Sequence, residues 1–137
     1  MATAQVVTTG WVELGEDVLR WDINWLCTDL GVVSQELSGA DLGKVLGWYI
    51  FMAKVDPGST TPTAAWDWTL KDADGIDIMA GLGTDMSATA SVMLFPKPDG
   101  TNFRDSLVDG PLTFAITAAG DAKIGVNSFF FRRWERK

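Results

Sequence analysis

Hydrophobic and polar positions alternate with a period of two along much of this chain. Leu19, Trp21, Ile23, Trp25 and Cys27 share one parity, and Arg20, Asp22, Asn24 and Thr28 the other, with Leu26 the exception. Successive side chains of a strand point to opposite faces, so this spacing predicts a half-buried antiparallel strand. Gln5–Glu13, with Val6, Val7, Trp11 and Val12, predicts a strand before it, joined by a turn at Gly15-Glu16-Asp17. Gly31–Leu37 is a weaker strand. Residues 38–44 read as a loop: Ser38 and Asp41 resemble a helix N-cap pair, but Gly39, Gly43 and Gly47 oppose a helix. Gly47–Val55 is apolar on both parities, as in a central strand covered on both sides.

A loop follows at Asp56–Pro62. Trp66, Trp68 and Leu70 then alternate with Asp67, Thr69 and Lys71. After Asp72-Ala73-Asp74-Gly75, Ile76 and Ile78 flank Asp77, which predicts a β-hairpin around a short Asp/Gly turn. Gly81–Ala90 is small and polar and reads as an irregular connection, Ser91–Phe95 as a short strand, and Pro96–Gly100 as an exposed loop. Leu112, Phe114 and Ile116 mark another strand, Ala119-Gly120-Asp121 a turn, and Ile124–Trp134 a long closing strand. About eight strands with regular turns predict an all-β fold, an antiparallel β-sandwich of jelly-roll type. No composition break divides residues 1–137, so one domain is expected. Residues 1–9 read as an extended arm, because they precede the first strong turn and hold no core aromatic.

Composition sharpens this picture. Asp outnumbers Glu by 14 to 4, and there are 14 Gly and 13 Thr, a mixture suited to turns and strands rather than helix interiors. Seven Trp and seven Phe supply bulk for a two-layer core. There is no histidine, which excludes a Ser-His-Asp triad, a Cys-His pair and an HExxH zinc helix. The single Cys27 allows no intrachain disulfide or cysteine-rich zinc site. A free thiol without a basic, apolar leader suggests synthesis in a reducing cytoplasm. The longest mostly apolar stretch, Val45–Ala53, is too short to span a bilayer.

The formal net charge of −7 argues against a nucleic-acid partner. It divides unevenly: Arg132-Arg133-Trp134-Glu135-Arg136-Lys137 carries +3 and the remainder −10. This tail is either a solvated terminus or an electrostatic anchor onto an acidic partner.

Few motifs suggest chemistry. Asp72-Ala73-Asp74-Gly75-Ile76-Asp77 has three carboxylates in six residues, but its Gly is fourth and Gly83 occupies the twelfth position, so a hairpin turn fits better than an EF-hand calcium loop, with a weak cation site of another kind as the alternative. Gly81-Leu82-Gly83 lacks the third Gly of a dinucleotide fingerprint, and Lys44 has no phosphate-loop context. Among 18 acids some pair is always available to a hydrolase, so paired carboxylates carry no weight. Trp21, Trp25, Trp66 and Trp68 lie in phase with aliphatic residues and read as core, whereas Trp11 and Trp134 read as surface aromatics. In Phe129-Phe130-Phe131, neighbouring rings must point to opposite faces. This means either a strand buried on both sides or an exposed ring marking a protein contact.

The run Trp66-Asp67-Trp68-Thr69-Leu70-Lys71-Asp72-Ala73-Asp74-Gly75-Ile76-Asp77-Ile78-Met79-Ala80-Gly81-Leu82-Gly83, then Ser87-Ala88-Thr89-Ala90, resembles a pattern in small virion proteins of tailed bacteriophages. Asp109-Gly110-Pro111-Leu112-Thr113-Phe114-Ala115-Ile116-Thr117 and Ala119-Gly120-Asp121 resemble that family's later strand and turn. The resemblance covers roughly residues 45–128. It implies a capsid decoration (cement) protein on the outer surface of the phage head. Such a protein would act as a homo-oligomer, a dimer or trimer, and bridge the major capsid protein lattice. It implies no catalytic residue or cofactor; no metal is expected, and the acidic charge and short apolar stretches lead us to expect neither a nucleic-acid nor a membrane partner. Independently of the resemblance, Trp11, Phe129, Phe131, Arg132, Arg133, Trp134, Arg136 and Lys137 are the candidate partner contacts. The competing expectations are a neck, tail or fibre-base protein, a carbohydrate-binding β-sandwich and a small Asp-pair hydrolase.

Overall fold

The computed structural model describes residues 4–133, and the chain is an all-β sandwich. The predicted first hairpin is β1 (Val6–Gly15) and β2 (Val18–Leu26), joined through Glu16-Asp17. Then come β3 (Val33–Leu37), a short helix α1 (Gly39–Val45), β4 (Tyr49–Pro57) and β5 (Asp67–Lys71). The chain closes with β6 (Val92–Leu94), β7 (Ser106–Leu107), β8 (Leu112–Thr117) and β9 (Ile124–Arg132).

The larger sheet has the order β1-β2-β9-β4-β6, with β7 beside the other end of β4, and the smaller has the order β3-β8-β5. All named pairs are antiparallel. The pairings nest: β2 with β9, β3 with β8, β4 with β6. That is the wrapping of one long antiparallel ribbon into two layers, the jelly-roll arrangement. The place of one smaller-sheet strand is taken by irregular chain, which touches through isolated bridges at Trp66–Met86 and Lys71–Asp77.

Each inward face follows the alternation. Trp21, Ile23, Trp25 and Cys27 are buried from β2 and its end, and Trp68 and Leu70 from β5. Rings meet across the layers: Phe129 lies 5.7 Å from Trp68 and 5.9 Å from Phe114, and Trp25 lies 5.4 Å from Trp66. Indoles this large need room in the backbone. A Cβ on Gly125 would stand 2.5 Å from Trp25, and one on Gly83 would stand 2.9 Å from the Trp68 ring.

Several expectations are corrected. Residues 39–45 are helical, not a loop. Leu42 and Val45 pack into the core, Asp41 sits in the first turn and Lys44 in the last, and these gains outweigh the propensity cost of the glycines. Of the expected arm at 1–9, residues 6–9 belong to β1 and pair with β2 from Val6–Leu26 onward, and residues 1–3 lie outside the described residues. The predicted turn at Asp72–Gly75 forms, with the Asp72 amide donating to the Ile76 carbonyl and the Ile78 amide to the Leu70 carbonyl, but its return strand is only the Lys71–Asp77 bridge, and the full strand beside β5 is β8. Strand β4 is central in its sheet but buried on one face only. The two-residue β7 carried no sequence signal of its own.

Gly125→Ala is expected to lower stability by about 1–3 kcal/mol through overpacking against Trp25. Gly43→Ala, at an exposed helical position with open space around it, is expected to raise stability by about 0.5–1 kcal/mol. Urea denaturation midpoints of both variants check the pair.

Candidate functional site

The outer face of the larger sheet carries exposed apolar side chains where β4, β6 and β9 meet. Met93 on β6 lies opposite Lys54 of β4, and Lys54 lies opposite Ser128 of β9. The β4–β9 register shifts between Ile50 and Met52, which inserts Phe51 as an extra residue. Its ring sits 6.1 Å from that of Phe130, the outward member of the Phe triplet. Beside Phe51 a hollow of about 170 Å³ is lined by Phe95, Pro96, Phe103, Arg104 and Asp105. Met93, Phe95 and Phe103 are 55%, 52% and 63% exposed, large values for side chains of this kind. A second hollow of about 240 Å³ continues the face past Met93 and Phe130 toward Arg20, Asp22, Lys54 and Asp56.

Polar pairs frame this apolar strip. Arg20 donates two hydrogen bonds to Asp22, at 2.8 and 2.9 Å, and the Ser128 hydroxyl donates to the same carboxylate at 2.6 Å. The Arg132 guanidinium lies 4.9 Å from the Phe51 ring centre and bonds Asp105 at 2.6 Å. Lys97 stands 4.9 Å over Phe103. The loop that presents Phe103 is closed by the Arg104 amide donating to the Pro96 carbonyl at 3.1 Å. Inside it, Asp99 accepts from the backbone amides of Asn102 and Thr101 at 2.8 and 2.9 Å, from the Asn102 side chain, and pairs with Arg104 at 3.0 Å. Those amide donors, Asn102 before Thr101, hold the Asp99 carboxyl down from 3.8 to about 2.

A separate groove of about 670 Å³ lies at one end of the sandwich, lined by Trp11, Glu13, Glu16, Lys44, Trp48 and Arg133 among others. Trp11 stacks on Trp21 at 6.0 Å, and its indole donates to Asp41 at 3.0 Å. Arg133 lies 5.0 Å over Trp48, and its amide donates to the Asp17 carbonyl.

The expected contact residues are redistributed by this geometry. Phe129 and Phe131 are fully buried between the sheets and present no surface, because both point inward and only Phe130 points out. Trp11 is not a free surface aromatic but a half-buried ring at the groove. Arg132 and Arg133 reach the surface, each placed over an aromatic ring. Trp134, Arg136 and Lys137 lie outside the described residues. The exposed Phe95, Met93 and Phe103 were missed. Their signal was an aromatic or Met at outward parity and beside Pro- and Gly-containing turns, where core packing has no use for it.

The acidic turn is structural. Asp72 accepts the amides of Asp74 and Ile76, and Asp77 accepts those of Leu70, Met79 and Gly81. Among the described residues no group of three or more Asp, Glu or Cys is arranged to hold a metal ion. No helix among them is long and apolar enough to cross a membrane. Comparison of the chain with protein-family models, with curated proteins and with solved structures gives no significant match.

The Asp99 clamp has a pH signature. Its folded-state pKa is depressed, so its contribution is complete above about pH 4 and disappears as pH falls from 3.8 toward 2. Carboxyl chemical shifts are expected to show Asp99 titrating near 2 in the native chain. A midpoint near 3.8 would mean that the loop around Phe103 is not closed this way.

Proposed function

We propose that this chain is a non-enzymatic structural protein of a tailed-phage particle, a capsid decoration (cement) protein that binds the major capsid protein lattice from outside. The observation that carries this reading is the apolar strip of exposed Met93, Phe95 and Phe103 around the half-buried Phe51, at the edge of the larger sheet and its adjoining loop, framed by ion pairs. Apolar anchors within a polar frame are the usual make-up of a protein–protein contact. The family-like motifs support it from the other layer: Trp66–Gly83 and Asp109–Thr117 contain β5 and β8 of the smaller sheet. The likeness therefore lies in the scaffold, and the strip lies on the opposite outer face. The turn carboxylates are committed to backbone amides, which fits a protein that works by contact.

Purified particles of the phage encoding this chain are expected to contain it in many copies, seen by cryo-electron microscopy as repeated density on the head. Density only at the neck or tail, or no chain in the particles, would falsify the reading. Phe103→Asp is expected to leave the fold intact and to weaken rebinding to stripped heads about tenfold or more, as for the loss of one anchoring side chain. Co-sedimentation measures this.

The groove favours a second reading, glycan binding, because it brings Trp11 and Trp48 together with Glu13 and Glu16. Indoles stack on sugar rings while carboxylates accept from their hydroxyls. In that case host surface glycans quench tryptophan fluorescence, and Trp48→Ala abolishes the quenching. An unchanged signal across a glycan panel removes this reading.

A further inference from the structure

The sandwich has four sheet edges among its described strands, and three are blunted. At β3, the Gln5 side chain donates to the Ser34 carbonyl and accepts from the Ser34 amide, both at 2.9 Å, so it stands in for a neighbouring strand. Beyond β5, irregular chain supplies the partner: the Trp68 amide donates to the Gly83 carbonyl, and Ala65 and Met86 add two more backbone bonds. The far edge of the larger sheet is β6 and β7, three and two residues long. Strand β1 is different. It runs ten residues, pairs with β2 on one side, and among the described residues no backbone bond from Val6–Val12 is made on the other.

Exposed edges are normally protected by Lys, Pro, an inward charge or a bulge. Val6-Val7-Thr8-Thr9-Gly10-Trp11-Val12 has no charge and no Pro, and the register shift comes only after Glu13. Six β-branched or aromatic residues around a single Gly, all uncharged, are the pattern of a strand that accepts another strand.

We propose that β1 pairs antiparallel with β1 of a second copy of this chain, across a two-fold axis at Thr9, joining the two larger sheets into one. The sequence of the strand selects a copy of itself as occupant. With Thr9 opposite Thr9, Val7 faces Trp11, Val6 faces Val12, and Thr8 faces Gly10. The interface thus holds two Val–Trp pairs, two Val–Val pairs and one central Thr pair, all favourable cross-strand neighbours. Glu13 falls outside the paired stretch, so no like charges are brought opposite. Val6, 58% exposed in the single chain, gains a neighbour. Antiparallel pairing about a two-fold uses the same surface twice and closes after two copies. This inference rests on the edge alone and stands whether or not the chain binds a phage head.

The full chain, 14.9 kDa, is expected to sediment at twice that mass. The dimer should hold or tighten as salt rises, since screening relieves repulsion between two acidic chains while main-chain and apolar pairing is unaffected. Thr8→Lys, at an exposed position, is expected to give a monomer with unchanged circular dichroism. Thr9→Cys is expected to form a covalent dimer under mild oxidation, because paired strand residues lie within disulfide reach. Val7→Cys is expected not to do so, since Val7 faces Trp11. Cys27 is fully buried and does not compete. A monomeric or trimeric mass for the unmodified chain overturns the proposal. So does a dimer that survives Thr8→Lys or cross-links as well through Val7→Cys.

Discussion

Phe129 is the contact on which the rest of the sandwich depends. It belongs to the strand at the middle of the larger sheet, and its ring touches Trp21 in its own layer and Trp68 and Phe114 in the other. Aromatic pairs at these separations add to the burial of their area. The ring sits between the layers, and Gly125 and Gly83 let the Trp25 and Trp68 indoles come close against the backbone. The arrangement has a cost: the indole N–H groups of Trp21 and Trp68 and the Asn127 amide nitrogen are buried with no acceptor among the described residues. Only Trp25 among the core indoles of β2 finds a side-chain partner, the Asn127 oxygen at 2.9 Å.

With the inside so filled, further aromatic side chains are carried on the outside. The bulge that admits Phe51 puts apolar surface where the alternation alone would have placed polar residues. Arg132 then serves two roles, covering that ring and fixing Asp105. The loop carrying Phe103 is held by Asp99 rather than by core packing. The apolar strip is therefore presented on fixed backbone.

The alternation at Leu19–Cys27, Trp66–Leu70 and Leu112–Ile116 made β2, β5 and β8 legible, because period two leaves little choice of face. The same rule left the Phe triplet ambiguous: parity says that Phe129 and Phe131 differ from Phe130, but not which side has a second sheet. Helix α1 was illegible because its stability comes from Leu42, Val45 and the Trp11–Asp41 bond, all tertiary. The pairing of β5 with β8 was hidden for the same reason, since a turn signal at Asp72–Gly75 reports local geometry and not which strand lies beside it. The exposed strip could be found only by asking which apolar side chains the core did not use.

The nested wrapping has a kinetic consequence. Strand β9 comes last in the order of elements yet lies between β2 and β4, which were made long before. The larger sheet thus has no complete interior until that final segment has left the ribosome. Distant pairings of this kind are slow to form. Until then, apolar faces of the earlier strands stay uncovered and invite aggregation. Assembly of the larger sheet is therefore a race between the emergence of β9 and the misdirected pairing of the strands that precede it.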